Sequence, residues 1–150
     1  MADTRPLKSK IEPYVRAWLT EEFGKPFRSE FLELSGVKDR PSKHEFDAVS
    51  EDRKIVCGIK TASWTTSGGR RGAGKIQGAY AELYFLNLVE AQQKYLVLTD
   101  PEFLENLRRD SRGNLPPSVD LLYCELPEDL QREVAAIRAK SQQELGSHTT

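Results

Sequence analysis

A chain of 150 residues has room for one hydrophobic core but is short for two. Charged residues make up 30% of it, yet the net charge is only -1, so bulk charge neither demands nor excludes a polyanionic partner. Cys57 and Cys124 lie in separate apolar runs and His44 and His148 stand far apart, which leaves no clustered ligand set for zinc. No apolar run approaches the ~20 residues of a membrane span, and the opening MADTRPLKSK is too polar for a secretory signal. Two buried thiols, no membrane partner and a cytoplasmic location are the expectation.

In chain order, Lys8 to Phe23 reads as a helix, with Ile11, Val15, Trp18 and Leu19 on one face and Gly24 as its stop. Pro13 fits the first turn if that helix starts near Ile11 or Glu12. Glu30 to Ser35 reads as a short strand, followed by a polar turn. His44 to Val49 alternates, which predicts Phe46 and Ala48 on one face and Glu45, Asp47 and Val49 on the other. Ser50 to Arg53 is a compact turn. In the strand from Lys54 to Thr61, Ile55, Cys57 and Ile59 point one way, and Val56, Gly58 and Lys60 the other. With the turn centred between Glu51 and Asp52, Asp47 faces Val56 and Glu45 faces Gly58. Glu45, Asp47, Gly58 and Lys60 then share one face.

A loop from Ala62 to Gly74 precedes a helix from Ile76 to Glu90, striped with Ile76, Tyr80, Leu83, Leu86 and Val89. Lys94 to Thr99 is a buried strand. Pro101 to Arg109 is a helix with Asp100 as N-cap and proline at N1. Val119 to Glu125 is a last strand, and Pro127 to Leu145 an amphipathic helix with Leu130, Val134 and Ile137 inward. Residues 146–150 read as a frayed tail. The prediction is a single α/β domain over residues 1–150, a mixed sheet with helices on its faces.

From Arg53 to Ala81 there is no acid, while Arg53, Lys54, Lys60, Arg70, Arg71 and Lys75 are all basic. Such a block is an address for an anion. Gly69 to Lys75 spells G-x-x-x-x-G-K, but Ile76 stands where a nucleotide-binding P-loop needs a hydroxyl for Mg²⁺, and the loop does not follow its strand tightly. A nucleic-acid backbone suits the segment better. Ser67, Arg70, Arg71, Lys75 and Gln77 are the candidate contacts, and Trp64 can stack on a base.

Helix, three strands, helix, strand, with His44-Glu45-Phe46-Asp47 on the second strand and Gly58-Ile59-Lys60 closing the third, resembles the restriction-endonuclease-like nucleases, whose signature is written PD-(D/E)XK. The resemblance covers roughly residues 8 to 100. It implies Mg²⁺ (or Mn²⁺) held by Asp47, a second acid and the Ile59 carbonyl, with Lys60 serving the attacking water and the scissile phosphate. DNA is implied ahead of RNA as substrate, and a homodimer if both strands are cut. The chain departs from that pattern in lacking the proline and in carrying Gly58 in place of the second acid. Glu82 on the next helix, Glu45 across the hairpin and Gln77 through its amide oxygen are the candidate replacements, with Glu82 ahead of Glu45. Glu12 matches an accessory acid. The alternative reading is a catalytically inactive module that binds nucleic acid or protein.

Overall fold

The computed structural model describes residues 5–35, 42–64 and 73–147, and side chains within them at 9–35, 42–64, 74–137 and 139. Four helices and five strands follow one another among these residues: α1 (Arg5–Phe23), β1 (Phe27–Leu34), β2 (Ser42–Ser50), β3 (Ile55–Lys60), α2 (Ala73–Leu88), β4 (Gln93–Leu98), α3 (Pro101–Ser111), β5 (Val119–Tyr123) and α4 (Glu128–Ser147). The sheet has the strand order β1-β2-β3-β4-β5. The first three strands form an antiparallel meander, and β4 and β5 run parallel to β3. Parallel neighbours require crossovers, which α2 and α3 supply. The mixed α/β architecture is therefore as the periodicities predict.

Each face of the sheet has its own core. Phe46, Val49, Val56, Leu96 and Leu98 pack with α2 (Ala79, Leu83, Leu86) and α3 (Phe103, Leu104, Leu107). Ala48, Ile55, Cys57, Ile59 and Val97 pack with Ile11, Val15 and Leu19 of α1 and Val134 of α4. Burial raises the thiols of Cys57 and Cys124 to about 12, with Asp47 adding to the rise at Cys57. Neither is a nucleophile at neutral pH. No helix among the described residues is long and apolar enough to cross a membrane.

Three local expectations change. Pro13 sits inside α1, two turns in, because that helix begins at Arg5. At the other end of the chain, α4 continues through Gly146 and Ser147, which the sequence places in a frayed tail. The third change concerns β2. Between the pairs Arg28↔Val49 and Glu30↔Phe46, β1 advances two residues and β2 three, so Asp47 and Ala48 form a bulge. The bulge breaks the alternation. Phe46 lies on the α2 side with Val49, and Ala48 lies on the α1 side.

The hairpin register moves as well. Val49 pairs with Val56 and Ala48 with Cys57. The turn tightens because Arg53 N–H donates to the Ser50 carbonyl (2.8 Å), Lys54 N–H to Asp52 Oδ1 (3.1 Å) and Ile55 N–H to Ser50 Oγ (3.0 Å). Arg53 takes a left-handed φ of 59° to close it. Continuing this ladder brings Asp47, not Glu45, opposite Gly58.

Candidate active site

The strand-borne half of the site is built by the bulge. Asp47 Oδ2 accepts the Ile59 N–H at 2.8 Å, which ties the carboxylate to β3 one residue before Lys60. The Asp47 carbonyl accepts from Arg16 Nε of α1 at 2.7 Å. Arg16 in turn pairs with Glu12 at 3.2 Å, and Glu12 is buried. The predicted accessory acid thus serves an arginine that holds the Asp47 main chain from the opposite face. Arg16 was not among the sequence candidates. Its only signal was its place one turn after Glu12.

Arg16→Ala is expected to take the guanidinium donor from the Asp47 carbonyl and the ion pair from the buried Glu12, at about 1–3 kcal/mol. Urea unfolding checks this: the midpoint should fall with the slope unchanged. A loss below about 0.5 kcal/mol would mean that water replaces the guanidinium.

The helix-borne half comes from α2. Gly58 and Lys60 face this helix. A Cβ added at Gly58 would lie 2.6 Å from Glu82 Cγ and 2.9 Å from its Oε1, so the glutamate occupies the space a side chain at Gly58 would need. A Cβ at Gly78, one turn before Glu82, would lie 3.7 Å from Lys60 Nζ. Lys60 and Glu82 therefore both lie under this helix, near enough for the lysine charge to act on the carboxyl.

His44 completes the cluster. Its ring stacks on Phe85 (centroids 3.9 Å apart, planes 8° apart) and meets Phe46 edge-on at 4.8 Å. Its Nε2 lies 3.5 Å from Glu82 Oε2, an ion-pair distance rather than a well-formed hydrogen bond. Among the described residues, His44 Nε2 and Glu82 Oε1 are the buried side-chain polar atoms without a hydrogen-bond partner. The sequence places His44 in the strand motif and offers no second histidine nearby for zinc, which assigns it no role of its own. Its position two before Phe46, on the same face, was the available signal.

Glu82 is held above the ordinary carboxylate range. Burial is the main cause and the charge of Asp47 the second, with His44 and Lys60 pulling the other way. Because the folded pKa exceeds the unfolded one, ionising Glu82 costs folding free energy. The cost is absent below the unfolded pKa and grows as pH rises through the folded one. Glu82→Gln is expected to raise the melting temperature in chelator at about pH 7.5, with the gain vanishing near pH 4. A gain that does not change with pH would sink the argument. Stabilisation on losing a site residue is the usual mark of a site built at the expense of stability.

The other candidates are placed as follows. Glu45 is solvent-exposed and pairs with the exposed Phe31. It projects from the face opposite His44 and Phe46, away from Glu82. Gln77 is exposed and faces a cleft beside Trp64 rather than Asp47. Lys75 Nζ donates to the Ser63 carbonyl at 2.8 Å, which anchors the start of α2 to the end of the β3 segment. Trp64 N–H donates to Asp100 Oδ2 at 2.7 Å, and its ring meets Phe103 edge-on. Asp100 also caps α3 through the Glu102 N–H, as its position before Pro101 predicts. Ser67, Arg70 and Arg71 lie outside the described residues. Among the described residues no group of three or more His, Cys, Asp or Glu side chains is arranged to hold a metal. Comparison with protein-family models, curated proteins and solved structures finds no match.

What the arrangement can do chemically follows from its charges. Two carboxylates, Asp47 and the desolvated Glu82, lie within electrostatic reach of each other and of Lys60. Paired carboxylates of this kind are the donor type that hard cations take.

Proposed function

We propose that this chain is a metal-dependent nuclease of the restriction-endonuclease-like type, hydrolysing phosphodiester bonds of DNA ahead of RNA. The observation that carries the reading is Glu82. It reaches from α2 into the space over Gly58, near Asp47, with a buried carboxylate oxygen that has no hydrogen-bond partner among the described residues. It supplies the acid that the strand lacks.

The donor set fits Mg²⁺ or Mn²⁺. Mg²⁺ commonly takes one or two carboxylates and keeps its other positions for water and phosphate oxygens, so a third acid is not needed. Asp47, Glu82 and the Ile59 carbonyl would hold the ion, and the orphaned Glu82 oxygen is the atom with most to gain. When bound, such an ion supplies Lewis acidity and a more acidic water. The chain's own residues do the rest. The Lys60 ammonium balances charge growing on the scissile phosphate and orients the attacking water. Arg16 and the Ile59 N–H hold Asp47 in place from two sides. In the reaction, the water oxygen bonds to phosphorus, one P–O ester bond breaks, and the departing oxygen takes a proton.

The test is cleavage of labelled linear, circular and branched DNA, and of RNA, with Mg²⁺ or Mn²⁺ and with chelator. Cutting that requires the metal is the expected result. Binding without cutting under any condition would leave a non-catalytic binding module on this scaffold. Neither cutting nor binding would remove nucleic acid from the account.

A further inference from the structure

The first turn of α2 and the last turn of α3 enclose a cleft of about 680 Å³. This volume is in the range of small-ligand sites. One wall is apolar, made by Trp64 and Ile76. Trp64 is held at two points, through its main-chain bond to Asp100 and its ring contact with Phe103, so it presents a fixed aromatic surface. Gln77 and Asn106 contribute amides. Asn106 donates one N–H to the Glu102 carbonyl at 2.8 Å, which leaves its side-chain oxygen to accept from a ligand.

The third component is charge. Arg109 and Arg112 line the cleft, both exposed, and neither is ion-paired among the described residues. Asp110, the one acid among the described lining residues, takes the hydroxyl of Tyr80 and holds that phenol up at about 12. Arg112 sits at the left-handed C-cap of α3, with φ 42°, where glycine would be the less strained residue. A strained arginine facing a cleft is a reason to look for its ligand.

An aromatic surface, two forked guanidiniums and amides able to read a ring edge together select a planar heteroaromatic base that carries a phosphate. The position adds to this. Gln77 of the cleft precedes Gly78, which lies against Lys60 Nζ. The cleft and the lysine of the candidate active site therefore adjoin successive residues of α2.

We propose that this cleft holds a single unpaired nucleotide, its base against Trp64 and its phosphate on Arg109 and Arg112. The site rests on the nuclease reading only for the source of that nucleotide, a strand leaving the reacting phosphate rather than a free mononucleotide.

Titration calorimetry on the native protein tests it, with adenosine monophosphate, adenosine and inorganic phosphate as probes. DNA duplexes that end blunt or carry unpaired nucleotides form the second arm. Adenosine monophosphate is expected to bind about tenfold or more tightly than either adenosine or phosphate. The overhanging duplex should exceed the blunt one by a similar factor. Arg109→Gln combined with Arg112→Gln should lose both preferences while melting as the native protein does. Preference for the mononucleotide alone assigns the cleft to a free ligand; preference for the overhang alone assigns it to a strand. No preference in either arm, or preferences that survive in the double variant, overturns the site. The nuclease reading fails separately. Nucleotide binding without any cutting keeps the cleft and removes the enzyme, and cutting without nucleotide binding does the reverse.

Discussion

Asp47→Asn and Lys60→Ala are each expected to lower metal-dependent cleavage on the order of 10²–10³-fold or more, with little change in melting temperature. Asparagine is the informative choice at residue 47. It retains an oxygen to accept the Ile59 N–H, whereas alanine would strand a partly buried donor at about 1–3 kcal/mol and confuse folding with chemistry. At residue 60 the effect has two parts. The ammonium is lost from the scissile phosphate, and Glu82 loses one of the two neighbours that ease its ionisation. Glu82 must be ionised to hold a metal. The activity left in Lys60→Ala should therefore move to higher pH than that of the native protein. Measuring kcat against pH for both proteins checks this. Native rates in either variant would end the assignment of these two residues, and an unshifted profile would separate Lys60 from Glu82.

Gly58→Ala is the second large effect, and it runs against intuition. Alanine is the mildest side chain that can be added, and Asp or Glu at that position would supply the strand-borne acid that the proposed nuclease type carries there. Yet the new Cβ would meet Glu82 Cγ at 2.6 Å. That atom is only two bonds from the α2 backbone and cannot swing clear as a chain tip would. Overpacking of this kind costs about 1–3 kcal/mol, or else drives the carboxylate out of the site and abolishes cleavage. The same substitution in a Glu82→Ala background should cost far less, since the clash has gone. A double-mutant cycle by urea unfolding reads the difference directly. Equal costs in the two backgrounds would show that the glutamate does not fill that space. Gly58→Asp with Glu82→Ala should recover part of the cleavage that Glu82→Ala loses.

Much of this architecture is legible in the sequence. Alternation marks β3, an apolar run marks β4, and the Asp100-Pro101 start of α3 announces itself by its capping chemistry. The features that build the site are less legible because they are tertiary. The bulge at Asp47 and Ala48 is invisible to a pattern in which a small Ala48 fits either face. It is recognised through the arginine that holds its carbonyl, and Arg16 lies 31 residues away. The turn register depends on side-chain acceptors at Ser50 and Asp52, which move the pairing by two residues and exchange Glu45 for Asp47 opposite Gly58. His44 depends on stacking with Phe85, a contact between a strand and a helix that no local spacing encodes. Glu82 was within reach, because an acid bordering an apolar stripe asks for a partner.

The contact between Gly58 and Glu82 also bears on how such a site can change over time. Two positions that compete for one volume behave as a single inherited character. A chain carrying side chains at both is destabilised, and a chain carrying an acid at neither lacks the second acid of the proposed metal site. Passage between a strand-borne and a helix-borne acid therefore crosses a fitness valley, either through a strained intermediate or through a silent one. Among descendants of such a chain, residues 58 and 82 should covary in size, large at one only where small at the other.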